Sequence, residues 1–514
     1  MMFIQKIGLI VFFLGLILFS ALPFMGLYQL EEKDLKENLS EAHFQKLTNE
    51  LSPMFNVRYS SNISFVRDFN HYFDGYNEKF KSAGNWEEVI WDDYSFVVTK
   101  SATRGWILNY SILLFFLSVG LGSIGALLYV LPSHYHEPNG IKNNGIYFSS
   151  LKARGFLGIF TGLYLIGLYI GLYWFPEYLT NLAIIADPLS LILSGNTASQ
   201  WFIYGTIYTL AILVMGVRMF RKYKGNKYQT LRTASVMFFQ LSFAFLLPEL
   251  LVLMNMPWYD FKNIWPLDYT FFFDYRLDQM LSSGAMGMFM LIWGIILIVL
   301  GVPILTYFYG KRWYCSWVCG CGGLAETAGD PFRQLSDKSL KAWKVERYMV
   351  HSVLVIIVLI TLVTIANYFS GFDLLGGATG MLHEWYGFVI GAAFAGVIGV
   401  GFYPFMGNRV WCRFGCPLAA YLGIVQRFKS RFRITTNGGQ CISCGNCSTY
   451  CEMGIDVKWY AQRGQNIVRA SCVGCGVCSS VCPRGVLKLE NMGEVGRINS
   501  NPIIIGNESV KIHS

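Results

Sequence analysis

Long apolar stretches alternating with short polar ones dominate the chain. Eight of them, at about 7–28, 106–131, 155–175, 201–219, 233–255, 286–309, 348–368 and 385–406, approach the ~20 residues a helix needs to cross a hydrocarbon core. The pattern predicts an all-α polytopic membrane protein. The stretch within 1–28 has one leading charge, Lys6, a long apolar run and no small-residue cleavage site after it. It therefore reads as an anchor helix and not as a removed leader. Two polar segments are too long to be turns. Residues 29–105 predict a small α or α+β domain on the outer side, and 431–490 a second module, followed by a tail at 491–514. Between them lie a four-helix membrane region, 106–285, and a second membrane region, 286–430.

Charge orients these segments. Of 41 Lys and Arg, 30 fall in one alternating set of segments and 11 in the other, and the 29–105 segment holds 13 acids against 9 bases. The positive-inside rule then predicts a multi-pass protein of the bacterial inner membrane, with both termini cytoplasmic. Composition agrees. With 54% hydrophobic and 14% charged residues among 514, a soluble enzyme, a disordered chain and a small disulfide scaffold are excluded. The net charge of +9 lies beside the apolar stretches, which points to membrane lipid and not to nucleic acid. Basic residues after 330 (Arg333, Lys338, Lys341, Lys344, Arg347) and after 426 (Arg427, Lys429, Arg431, Arg433) suit anionic lipid or an acidic redox partner.

The 13 cysteines all lie at or beyond Cys315. Cys441, Cys444, Cys447 and Cys451 have the spacing C-x2-C-x2-C-x3-C, and Cys472, Cys475, Cys478 and Cys482 repeat it, with Pro483 following. This is the bacterial two-cluster ferredoxin pattern, in which the fourth cysteine of each run ligates the other cluster. One 4Fe-4S cluster is expected on Cys441, Cys444, Cys447 and Cys482. The other is expected on Cys472, Cys475, Cys478 and Cys451. Zinc ribbons do not need the third closely spaced cysteine. Gly445, Gly474 and Gly476 let the backbone bend near the sulfurs. Glu452 stands where a proline would follow Cys451.

A second constellation is duplicated. Residues 309–319 and 406–416 align at a constant offset of 97, with Gly310/Gly407, Arg312/Arg409, Cys315/Cys412 and Cys319/Cys416 in register. Each copy follows an apolar stretch running in the same direction, so both arrive at the same depth. A spacing of i, i+4 on a helix would put both sulfurs of a pair on one face. Cys315, Cys319, Cys412 and Cys416 then form a further metal site, a set of redox-active thiols, or buried apolar contacts. Arg312 and Arg409 could depress the thiol pKa values or contact headgroups. Cys321 has no counterpart and reads as idle.

On these motifs the chain resembles the membrane-bound 4Fe-4S polyferredoxins of the NapH/NosR type. It resembles more distantly the accessory protein of cbb3 oxidase maturation. The likeness covers roughly 286–490. Cys412 to Pro417 matches the C-x3-C-P motif, whereas Gly320 replaces the proline after Cys319. The resemblance implies electron transfer between the quinone pool and a redox partner protein, or other subunits of a respiratory complex. Quinone would be the substrate. Glu249, after Pro248 in the fifth stretch, and Asp187, in the apolar loop 182–193 near Trp201, are the candidate quinone or proton residues. Among the seven histidines, His351 and His383 lie at opposite depths and do not pair for haem b, whereas His134 and His136 could approach His351; C-x-x-C-H is absent from the sequence. No bond-making catalytic residue is evident. An assembly factor that reduces copper or thiols for an oxidase or reductase, and a redox sensor, are the rival readings.

Overall fold

The computed structural model describes residues 2–136, 155–371, 376–437, 440–491, 504–505 and 510–511. The basic residues of 132–154, the side chains of His134 and His136, and most of the tail lie outside the described residues. Among the described residues, eight helices are long and apolar enough to cross a membrane: Phe3–Phe24, Ser111–Pro132, Phe156–Trp174, Gln200–Lys222, Lys227–Leu253, Gly284–Tyr309, Leu340–Phe369 and Ala378–Gly401. The protein is an α-helical polytopic membrane protein with small sheets only. The seventh span begins at Leu340 and not near 348, because Ser339 caps it, its side chain accepting from the Ala342 N–H at 3.2 Å. Its first turns are charged and extend beyond the apolar run.

The chain divides into two compact units. The first comprises Met1–Glu137, Gly167–Val214 and Val252–Met254. Its first two spans pack through glycine. A Cβ on Gly15 would fall 2.6 Å from Gly122 N, and one on Gly8 would fall 2.7 Å from Tyr129 N. Side chains there would hold the backbones apart, which is the small-residue packing of membrane helices. Between these spans, strand Leu27–Gln29 sits between Arg58–Tyr59 and Thr103–Arg104 in an antiparallel sheet. Helix Asn62–Ser82 stacks Phe65, Phe69 and Phe73 at i, i+4 spacing along one face. With Leu47, Leu51, Met54 and Val98 they bury an α+β core. Residues 182–193 are not a loop: they belong to helix Thr180–Ser194, whose first half is buried. Asn181 pins it by donating to the carbonyls of Leu22 (2.9 Å) and Met25 (2.6 Å).

The second unit comprises Pro138–Ile166, Met215–Leu251 and Asn255–Ser514. Here the duplication is structural. Helix Val302–Tyr309 ends at Gly310 (φ 66, ψ 178), and helix Tyr403–Met406 ends at Gly407 (φ 94, ψ 171). This is backbone that only glycine adopts without strain. A wide π turn interrupts the helix before each glycine, at Leu297–Gly301 and Gly387–Ile398. The C-terminal module is closed by strand Phe432–Thr436 pairing antiparallel with Leu487–Asn491, Ile434 opposite Leu489.

Candidate metal centre

The two ferredoxin runs fold alike. Gly445 (φ 79) opens helix Asn446–Thr449, which carries Cys447, and Gly476 (φ 71) opens helix Val477–Ser480, which carries Cys478. Two residues earlier in each run, Ser443 (φ 61) and Gly474 (φ 65) take the same left-handed corner. These corners fold each run into a tight turn. Cys441, Cys444, Cys447 and Cys482 line one cavity with Ala461 and Val486. Cys478 has Cys475, Cys472, Cys451 and Cys447 near it. Cys482 thus lies beside the cysteines of the first run, and Cys451 has Cys472 and Cys478 near it.

Burial pushes the thiols of Cys447 and Cys475 up to about 12 and that of Cys472 to about 11. Anionic sulfur in such surroundings needs a cation-bearing partner, and an all-thiolate set suits iron–sulfur ligation. Backbone N–H groups aim at the sulfurs, from Ser443 to Cys441 and from Ile455 to Cys451, both at 3.4 Å.

The two sets differ in surroundings. Cys444 is exposed. The second run is instead gripped by membrane-proximal residues. Tyr228 donates to Gly474 O (2.9 Å), Gln229 to Cys475 O (2.7 Å), Ser316 to Val473 O (2.7 Å) and Gln426 to Cys472 O (2.8 Å).

Cys315, Cys319, Cys412 and Cys416 are all buried, in one apolar core with Cys447, Cys472 and Cys478. Cys416 has Cys412, Cys315 and Cys319 as neighbours, so the two duplicated segments meet. They do not meet through a continuous helical face. Cys315 ends helix Arg312–Cys315, and Cys412 lies in the wide turn Trp411–Gly415. Cys319 (φ −64, ψ 128) and Cys416 (φ −76, ψ 111) are extended caps of the helices that follow, Gly320–Glu326 and Pro417–Lys429. Pro417 forces this in the second copy, since a residue before proline is pushed out of the helical region. The Cys416 sulfur then accepts from the Ala419 N–H at 3.4 Å. Among the described residues no three His, Cys, Asp or Glu side chains converge on a position for a single ion. A cubane spreads its sulfur ligands over the corners of a larger body.

Cys319 is the acidic thiol. A hydrogen bond from Cys321, reinforced by the Gly322 N–H, lowers it to about 6 against the effect of burial. Cys321 is raised in return. Burial pushes Cys315 up to about 12 and raises Cys412 and Cys416 as well.

The duplicated arginines diverge. Arg409 is fully buried, donates to Cys315 O (3.2 Å), lies 3.8 Å from Cys412 Sγ and is 3.0 Å from Glu452. Glu452, with no exposed surface, directly follows Cys451 and is also 3.1 Å from Arg333. Arg333 reaches Glu326 at 2.7 Å, and Glu326 pairs with Arg232 and accepts from Tyr223 at 2.7 Å. Burial alone would raise the Glu326 carboxyl; Arg232 and Arg333 outweigh it and hold the carboxyl down to about 2. Arg312 instead lies over the rings of Phe432 (5.1 Å) and Tyr228 (5.7 Å) and donates to Asn491 (2.9 Å). It touches neither duplicated thiol pair. Sequence reasoning missed Glu452, Arg333 and Glu326 as a connected set. The one signal was a glutamate where the ferredoxin pattern has proline.

Asp187 lies in the first unit, paired with Lys100 at 2.7 Å and accepting from Ala198 N at 2.6 Å. Both its neighbours are built into the fold, so it is a committed ion pair. Trp201 packs on Tyr173, ring centroids 5.0 Å apart. Glu249 is half-buried in helix Leu247–Leu253, just after the π turn Phe239–Leu246. His351 bonds Arg347 O (2.6 Å), and His383 bonds Thr364 (2.7 Å) and stacks on Phe273.

Comparison with known proteins follows the same architecture. A family model described as a 4Fe-4S binding domain matches twice, at 291–339 and 387–435, once over each duplicated segment. A model described as a 4Fe-4S dicluster domain matches 440–487. A protein of Escherichia coli (strain K12), named as an electron transport protein, YccM, is 26% identical over 156 residues. That match covers 29% of this chain and 43% of the relative. No solved structure matches. The chain carries iron–sulfur domains of the electron-transfer kind on a membrane-spanning body.

Proposed function

We propose that the protein passes electrons between the quinone pool and a redox partner through two 4Fe-4S clusters. It would do so in the bacterial inner membrane, with both termini and the clusters on the cytoplasmic side. Cys441, Cys444, Cys447 and Cys482 would hold one cluster, and Cys472, Cys475, Cys478 and Cys451 the other. When bound, such clusters supply one-electron redox chemistry. The observation that carries the reading is the contrast in their surroundings. The second run is locked into the membrane-proximal residues beside the duplicated cysteines, while Cys444 of the first is open to a partner. The residues thus define an inner and an outer end. Cys315, Cys319, Cys412 and Cys416 stand at the inner end and would hold a further metal or work as redox thiols. Glu249, beside a π turn of the kind found at functional sites, and Asp187 are the candidate carboxylates for handling a quinone proton.

The test is addition of a menaquinol analogue to anaerobic purified protein, with low-temperature EPR and dithionite as the control for full reduction. A reduced-cluster signal with quinol is expected. A signal with dithionite alone would remove quinol as the donor to the isolated chain, and no signal with either would remove the clusters. A second reading, reduction of copper or thiols during assembly of a respiratory enzyme, draws on the acidic Cys319. It predicts that Cu(I) protects Cys315, Cys319, Cys412 and Cys416 from alkylation.

A further inference from the structure

A cavity of about 240 Å³ in the second unit lies between the first turns of the span Leu340–Phe369 and helix Pro417–Lys429. Its charged lining is one-sided: Lys311, Arg347, Arg413, Arg427 and Arg469, with His351, against the single acid Glu346. Glu346 is already taken by Arg413 Nε at 2.7 Å. Among the described residues, Lys311, Arg347, Arg427 and Arg469 have no carboxylate within ion-pair distance. Arg413 is 3% exposed, and its Nη2 has no hydrogen-bond partner. Lys311 is 1% exposed. Arg347 and Arg469 are held in place over the ring of Trp343, at 5.7 and 4.7 Å. Lys311 and Arg413 are buried, Arg469 is half-buried, and Arg347 and Arg427 are exposed at the mouth; cations gathered this closely repel one another unless an anion enters.

The geometry points to the headgroup phosphate of an anionic phospholipid as that anion. The wall helix is itself a membrane span, and the cavity lies at its charged end, where headgroups sit. The cavity is small for a drug-sized ligand. Its rim is apolar and outward-facing, with Phe428 71% exposed and Ile424 beside it. Such a rim suits acyl chains leaving a phosphate held below. Cys412 forms part of the wall, so a seated headgroup would cover the approach to that thiol from this side.

Native mass spectrometry of the detergent-purified full chain tests this with phosphatidylglycerol and phosphatidylcholine. Phosphatidylglycerol should be retained in preference, and should slow maleimide labelling of Cys412. The double variant Arg347→Gln, Arg427→Gln should lower that retention about tenfold or more. Arg427→Lys, which keeps the charge, should retain most of it. Equal retention of both lipids would overturn the proposal, as would retention unchanged in the double variant. Displacement of the lipid by inorganic phosphate at comparable concentration would also overturn it, in favour of a soluble anion. Unchanged thermal unfolding of the same double variant separates lost binding from lost folding.

Discussion

The two copies of the duplicated cysteine segment share a backbone and differ in what their side chains do. Both leave a helix through a glycine of positive φ, both place the second cysteine as an extended cap, and both bury their sulfurs in one core. Beyond that they part. The first copy makes the acidic thiol, because Cys321 and Gly322 can reach Cys319. The second has Pro417 and no extra cysteine, and burial raises the pKa of both its thiols. Its distinctive residue is Arg409, which touches both cysteine pairs and Glu452. The frame is thus present twice, and both copies contact the ferredoxin module, the first through Ser316 and Arg312 and the second through the buried Arg409–Glu452 pair.

The largest effect should come from breaking that link. Arg409→Ala leaves Glu452 buried and short of a partner, a loss of about 3–5 kcal/mol by analogy with other buried pairs. Reduced-cluster EPR should lose the signal of the second run first. Arg312→Ala, at the same position of the other copy, is the matched control. If both variants behave alike, the asymmetry has no functional meaning.

The shared frame should respond equally in both copies. Gly310→Ala and Gly407→Ala each force a side chain into a glycine-only conformation, costing about 1–3 kcal/mol apiece. A Cβ on Gly310 would also fall 2.6 Å from the Phe432 ring, and one on Gly407 would run into Ser336. Thermal unfolding in detergent reads both. A large effect in one copy alone would mean that the frame is not shared.

A smaller change is expected at the thiol. In iron-free protein the Cys319 thiolate should persist on acidification to about pH 6, so its alkylation should fall off only near that value. Cys321→Ala removes the donor, and the fall-off should move up by roughly one pH unit or more. No movement would return Cys321 to an incidental role. The smallest effect is that of Arg312→Ala itself. Its ring contacts and one hydrogen bond are partly exposed, and their loss should cost about 1 kcal/mol in unfolding free energy.

Much of this could be read along the chain. Spans are legible because a bilayer imposes one length and one polarity on contiguous residues, and all eight are where the apolar runs lie. The iron–sulfur domains are legible because a cubane imposes short cysteine spacings. What escaped depends on residues brought together from afar. Glu326 and Arg232 are 94 positions apart, and Asp187 and Lys100 are 87 apart. An isolated carboxylate in an apolar stretch reads as a proton carrier until its cation is seen. The break between the paired cysteines was available from Pro417, since its steric demand on Cys416 opposes a continuous helix. The regular i, i+4 spacing concealed it.

The grip on the second ferredoxin run bears on how the molecule is made. Tyr228, Gln229, Ser316 and Gln426 hold the backbone of the loop whose cysteines are the proposed ligands of the inner cluster. On that reading the loop would receive its iron and sulfide before those contacts form, and docking of the C-terminal module onto the membrane-proximal residues would follow loading.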